Sequence, residues 1–256
     1  MASILIIQLA RLGDLVQTMP MIAALRAQCP HDTIDLLCPE PLRDLGTLIP
    51  GIDRVIGWDG ARWHRWAERA AQGLLADQRQ EIEQELTALC PQPYDRAYVM
   101  NQHTRAIVAG ALLANSYIGP LTQGPLSEQL SPWAAYIRDI ARTRRANHIH
   151  LSDAFCGMCE LVPTGIAPRC LAPQVPQTRT LEQIGQGGGP WVCLIVGAGD
   201  TVRLVPVDIW RTWIVRFLSV IPRGRVVLLG QEAERPRAQD IQQTLPPSIL
   251  GRIWDL

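Results

Sequence analysis

The chain alternates short aliphatic runs with amphipathic stretches, beginning with Ile4 to Ile7. A continuous apolar run of that length, ended by a turn, predicts a strand covered on both faces. In "TMPMIAALRAQ", Met19, Ile22 and Leu25 recur at helical spacing, so the chain opens as strand, turn and helix. "TIDLLCP" (Thr33 to Pro39) predicts a second strand, "EPLRDLGTLIP" a short helix, and "GIDRVIGW" (Gly51 to Trp58) a third strand. Arg62 to Leu89 lacks Pro and carries Leu74, Leu75, Ile82, Leu86 and Leu89 as the apolar face of one or two long helices. "YDRAYVMN" then predicts a strand, "TRAIVAGALLA" an apolar helix and "SYIGP" a short strand. Strands that alternate with helices predict a parallel, doubly wound sheet.

From Leu161 to Pro190 the chain is rich in Pro, Gln and Gly and loses its periodicity, the mark of a linker. The pattern then restarts. "WVCLIV" predicts a strand, "GAGDTVR" a loop, "DIWRTWIVRFLSV" an amphipathic helix and "GRVVLLG" a strand. "EAERPRAQDIQQTL" follows as a helix despite Pro236, and "ILGRIWDL" starts a third strand. We expect an α/β protein of two lobes: residues 1–165, a linker over 166–190, and a second lobe over 191–256 that is incomplete.

Charge removes some functions from consideration. Twenty-four basic residues balance 24 acidic ones, so no global field recruits nucleic acid. Every basic residue is Arg. A phosphate clamp must then be a forked guanidinium, and lysine Schiff-base chemistry is excluded. The start is apolar but short, without a basic leader, and Arg11 and Asp14 interrupt it. We expect neither signal peptide nor membrane span, and a cytoplasmic protein. Seven Cys in apolar contexts read as reduced thiols. Cys156 and Cys159 raise a metal or redox reading, with Cys170 and His150 as further ligands, but "SDAFCGMCELV" has helical spacing and reads more simply as a helix with two packed thiols.

Ligands of open α/β sheets bind beyond the carboxyl ends of the strands, which makes each strand-to-helix loop a candidate. Asp14 stands in the first. It pairs with Gln17 as a helix cap, or it is a base that takes a proton from a hydroxyl attacking an electrophile, as in glycosyl transfer. Gly13 would let a ligand approach the backbone, and Thr18 shares the face of Asp14. Gln102 and His103 follow the strand ending at Asn101 and reach the same edge; His103 also reads as a helix-start residue. In the second lobe, Gly197, Gly199 and Thr201 offer small residues and free N–H groups to a phosphate, with Arg203 as clamp. Glu234 follows a strand end, where a carboxylate holds a ribose diol or simply favours a helix start. The Trp residues at 63, 66, 210 and 213 fall at helical spacings and read as packing faces. Neither G-x-G-x-x-G after the first strand nor a P-loop occurs, which argues against a dehydrogenase or P-loop enzyme.

"ILIIQLARLGDLVQTMPMIAALRAQCPHDTIDLLCPEP" with "PGIDRVIGWDG" resembles the amino-terminal lobe of glycosyltransferase family 9, the ADP-heptose:lipopolysaccharide heptosyltransferases and their relatives. "YDRAYVMNQHTRAIVAGALLANSYIGP" and "NHIHLSDAFCGMCELV" extend the resemblance toward the linker. It implies a GT-B architecture of two Rossmann-like lobes, the acceptor on the first, an ADP-linked sugar on the second, inversion at the anomeric carbon, and neither metal nor cofactor. Asp14 matches the family's general base, Arg203 its pyrophosphate-facing basic residue and Glu234 its ribose-facing acid. Val205 stands where the family has Trp, and the family's Asp-Thr-Gly donor loop would lie beyond Leu256. The acceptor implied is a lipopolysaccharide-like or other cell-surface saccharide. The Arg-rich stretch from Arg138 to His148 is then a candidate for peripheral contact with the inner membrane or with acceptor phosphates, and reads equally well as a solvated helix face. The alternative is a truncated relative that binds saccharide or a partner protein without turnover.

Overall fold

The computed structural model describes residues 1–72, 79–122, 128–143, 145, 147–165, 167–171 and 189–255. The chain divides into two compact units, Met1–Gln174 and Val175–Leu256. The anticipated linker falls largely outside the described residues.

The first unit is built on five parallel strands in the order β3-β2-β1-β4-β5, namely β1 Ser3–Ile7, β2 Thr33–Pro39, β3 Arg54–Trp58, β4 Arg96–Val99 and β5 Tyr117–Ile118. The aliphatic run does what its composition requires. Ile4 and Ile6 face one core, with Leu15, Met19, Ile22 and Leu25 of helix α1 (Leu12–Gln28) and Phe155 and Cys156 of α7 (Leu151–Met158). Leu5 and Ile7 face the other, with Ala106 and Ala109 of α5 (Thr104–Leu113) and with Trp58. Both sides of the sheet are thus dry, and period-two alternation is hidden inside a uniformly apolar sequence.

The remaining helices of this unit are α2 (Arg43–Thr47), α3 (Gly60–Ala71), α4 (Arg79–Leu89) and α6 (Pro132–Arg142). The stretch expected to form one or two long helices forms α3 and α4; Leu74 and Leu75 lie outside the described residues. Arg26 ties the turn after α1 to the β3 side, donating to Asp32 O (2.6 Å), Gly51 O (3.0 Å) and the Asp53 carboxylate (2.6 Å).

The second unit carries three parallel strands in the order β6-β7-β8, namely β6 Trp191–Ile195, β7 Arg225–Leu229 and β8 Ile253–Asp255. Helices α8 (Val207–Val220) and α9 (Arg235–Gln243) pack on one face through Ile214, Leu218, Ala238 and Ile241; α10 (Pro247–Leu250) is one turn. Pro236 sits in the first turn of α9, where its missing N–H would have had no helical partner.

Cys156 and Cys159 are buried core residues of the first unit. Burial raises both thiols, Cys156 to about 11. Among the described residues no group of three or more His, Cys, Asp or Glu is arranged to hold a metal ion. Trp63 stacks on Trp58 with ring centroids 4.3 Å apart, Trp210 packs on the second core, and Trp213 stacks on Phe217 while remaining 39% exposed. The Trp66 side chain lies outside the description. No described helix is long and apolar enough to cross a membrane.

Candidate active site

The candidate site of the first unit lies where β1 and β4 run out. Each strand is followed by a buried amide: Gln8 after β1, 0% exposed, and Asn101 after β4, 7% exposed. Such groups must find partners, because an unpaired buried amide is costly. They find each other and the loop. Asn101 Nδ2 donates to Gln8 Oε1, while Asn101 Oδ1 accepts from Leu9 N at 2.5 Å. Gln8 Nε2 donates to Thr18 Oγ1 (2.8 Å), and Thr18 Oγ1 donates to the carbonyl of Asp14 (2.8 Å). The backbone donors at Leu9 and Ala10 fix which end of each amide is the acceptor. The result is a polar floor beneath the loop that carries Asp14.

Asp14 is not the helix cap that the sequence suggested. Leu12 and Gly13 are already helical, and the Arg11 carbonyl accepts from Asp14 N (3.0 Å) and Leu15 N (3.1 Å), so Arg11 is the cap and Asp14 sits in the first turn. The helix starts earlier because nothing in Arg-Leu-Gly forbids helical geometry once Gln8 and Asn101 anchor the preceding loop. Asp14 Oδ2 accepts from Arg11 N at 3.2 Å. Its other oxygen has no hydrogen-bond partner among the described residues, and the side chain is half-buried. A carboxylate so placed can accept a proton from a hydroxyl arriving at the sheet edge.

The other expected residues of this unit separate. Gly13 is exposed with open space around its Cα, so a ligand can approach there. Thr18 is 0% exposed and its hydroxyl is occupied by Gln8 and Asp14. Gln102 turns to Ala134 O in α6 (2.7 Å). His103 is exposed at the N-cap of α5 and makes no side-chain capping bond.

In the second unit the loop from Val196 to Pro206 joins β6 to α8. Gly197 and Glu234 come together tightly: a Cβ at position 197 would fall 1.5 Å from Glu234 Oε1, so only glycine leaves room for the carboxylate. Glu234 Oε2 also accepts from Gln231 N (2.8 Å), which fixes the carboxylate at the end of β7. Asp200 caps the short 3₁₀ turn Thr201–Arg203 by accepting from Val202 N (3.1 Å). Arg203 is exposed, without a hydrogen bond or ion pair among the described residues, and its Nη2 lies 3.8 Å from where a Cβ of residue 199 would stand. Arg237, unremarked in the sequence, donates to Val196 O (2.9 Å) and to Val205 O, holding both ends of this loop with one guanidinium.

The fold that carries these residues was compared with known proteins. No protein-family model matches the chain, and no curated protein matches it. Solved structures do. The heptosyltransferase WaaC of E. coli with ADP aligns over 99% of this chain and 74% of its own at 16% identity, TM-score 0.62. The E. coli ADP-heptose lipopolysaccharide heptosyltransferase II aligns over 99% and 72% at 16% identity, TM-score 0.59. A family 9 glycosyl transferase of Veillonella parvula aligns over 95% and 66% at 16% identity, TM-score 0.66. The chain shares the fold of these solved glycosyltransferases. Identities this low carry the fold and leave chemistry to the residues, and the chain spans about three quarters of WaaC or heptosyltransferase II. The sequence resemblance noted above therefore agrees with the architecture, including the parallel five-stranded sheet and the second, smaller parallel sheet.

Proposed function

We propose that the chain is an inverting glycosyltransferase that transfers a heptose or similar sugar from an ADP-linked donor to a lipopolysaccharide-like or other cell-surface saccharide. The observation that carries this reading is fold correspondence over nearly the whole chain, together with a carboxylate, Asp14, at the carboxyl edge of the first sheet. In the step envisaged, an acceptor hydroxyl held on the first unit attacks the anomeric carbon of a donor held on the second. Asp14 takes the hydroxyl proton as the new C–O bond forms. The bond from the anomeric carbon to pyrophosphate breaks on the opposite side, its electron pair leaves with ADP, and configuration inverts.

The second unit supplies plausible chemistry for that donor. Gly197, Gly199 and Thr201 present a small-residue loop, Arg203 is a guanidinium without a hydrogen bond or ion pair among the described residues and suited to pyrophosphate, and Glu234 is a fixed carboxylate suited to a ribose diol. In the first unit, Gly13 leaves the approach to Asp14 open, and Thr18 supports the loop from below. Gln102 and His103 frame the neighbouring edge. The acceptor would be met at the cytoplasmic face of the inner membrane, with Arg138 to His148 as the contact.

A second reading, a relative that binds saccharide or protein without turnover, draws on Val205, which stands where the resemblance implies Trp. Calorimetric titration with ADP and an ADP-sugar, repeated on Arg203→Ala, tests the donor site: binding lost in the variant supports it, and silence from the native chain removes it. A transfer assay comparing native protein with Asp14→Asn separates the two readings. Turnover abolished by the substitution assigns the base, and absence of turnover from a nucleotide-binding native chain favours the second reading.

A further inference from the structure

Both units seat a glutamate on a glycine at the carboxyl edge of the sheet. Glu234 does so on Gly197; Glu40, immediately after β2, does so on Gly57 of the neighbouring strand β3. A Cβ at position 57 would fall 1.5 Å from Glu40 Oε2 and 2.5 Å from its Cδ, so glycine is what admits the carboxylate. Glu40 has one cation near it, Arg43 at 3.6 Å, and both side chains are more than half exposed, so that pair is weak.

The Glu40 carboxylate forms part of the wall of a cleft of about 870 Å³, shared with Leu9, Trp58, Asp59, Arg62, Glu85 and Arg105. Most of its charge is satisfied internally. Arg62 lies 2.5 Å from Glu85 and 3.7 Å from Asp59, and Asp59 Oδ1 accepts from Ala61 N and Arg62 N, each at 3.0 Å. Two groups are left over: the Glu40 carboxylate, and the Arg105 guanidinium, which has no hydrogen bond or ion pair among the described residues. Trp58 is 5% exposed, and its indole Nε1 is a buried donor without an acceptor among those residues. The lining carries three carboxylates and two guanidinium groups, and Arg43 pairs with one of the carboxylates, so the wall has no net positive charge to hold a polyanion.

We propose that this cleft binds a neutral saccharide, with the Glu40 carboxylate accepting hydrogen bonds from two vicinal hydroxyls and Arg105 donating to a sugar oxygen. The inference rests on the reading above for the saccharide being an acceptor, and it narrows that acceptor to the uncharged, diol-bearing part of a glycan. Leu9 belongs both to the cleft and to the loop anchored by Asn101, so the cleft adjoins the loop that leads to Asp14.

The test is saturation-transfer NMR of the full chain with methyl α-D-mannopyranoside, which has a cis diol, and with its 2-deoxy analogue. The intact mannoside should show transfer, and the deoxy sugar, Glu40→Gln and Gly57→Ala should each reduce it by about fivefold or more, the loss of one or two hydrogen bonds to a charged acceptor. The three heavy atoms nearest the added methyl of Gly57→Ala all belong to the movable end of Glu40, so melting should stay within about 1 °C of native. No transfer from the mannoside, or transfer that survives both substitutions, overturns the proposal. Calorimetry with ADP runs in parallel: mannoside binding through Glu40 with ADP silent keeps this site and removes the transferase reading, and ADP binding with mannoside silent does the reverse.

Discussion

Replacing Asn101 by Leu probes whether the polar floor under Asp14 is a structural necessity. The substitution keeps the number and branching of side-chain heavy atoms and removes an acceptor and a donor at once. Leu9 N–H loses its partner at 2.5 Å, and Gln8 Oε1 loses the Asn101 amide, retaining only Ala10 N at 3.4 Å. Gln8 cannot rotate to compensate, because its Nε2 is committed to Thr18 Oγ1. A buried group left unpaired costs about 1–3 kcal/mol. Two such groups, one of them only partly buried, give about 3 kcal/mol. At about 2–4 °C per kcal/mol for a unit of this size, melting of the first unit should fall by about 6–12 °C. Urea denaturation followed by circular dichroism measures the loss, and the cycle with Gln8→Leu measures the coupling, which should reach about 1 kcal/mol because the two amides share one network. A loss under about 0.5 kcal/mol, or strict additivity in the cycle, would refute the claim that these amides hold the loop.

Three further outcomes follow from other contacts. Gly197→Ala should displace the Glu234 carboxylate and weaken ADP binding about 10- to 100-fold by calorimetry, as should Glu234→Gln, while circular dichroism stays native; native ADP affinity retained in both variants would contradict the proposed role of Glu234. Arg26→Lys should destabilise the first unit by about 1–2 kcal/mol in urea, because an ammonium cannot serve Asp32 O, Gly51 O and Asp53 together, and a neutral result would count against that tie. Burial raises the Cys38 and Cys156 thiols from 9.0 to about 11, so the folded chain holds protons that the unfolded chain releases. Their contribution to stability is complete below pH 9 and lost between pH 9 and 11; a denaturation midpoint unchanged across that window would contradict it. Native labelling should accordingly reach exposed Cys170 and Cys193 before Cys156 or Cys159.

The sequence announced strands and helices where burial forces a pattern, and it was silent where the information lies in pairings across the sheet. "ILII" and "TIDLLCP" are legible because a strand covered on both faces has no alternative to aliphatic residues, and β2 spans the anticipated Thr33–Pro39. The cap at Asp14 was misplaced by three residues, because Asp followed by Gln three positions later satisfies a local rule that the anchored loop overrides. Gln8 and Asn101 lie 93 positions apart, and each alone looks like an ordinary polar residue after a strand. One signal was available: in a parallel sheet, polar residues that immediately follow two apolar strands fall at the same edge, and when neither can reach water they must bond to each other. The same reasoning recovers both glutamates. Glu40 directly follows its strand and Glu234 follows a strand and its turn, and a glycine in or just after the adjacent strand leaves the space that each carboxylate needs. A glycine at such a place is therefore informative about its neighbour more than about its own backbone: neither Gly57 nor Gly197 has a positive φ, and what each provides is the absent Cβ.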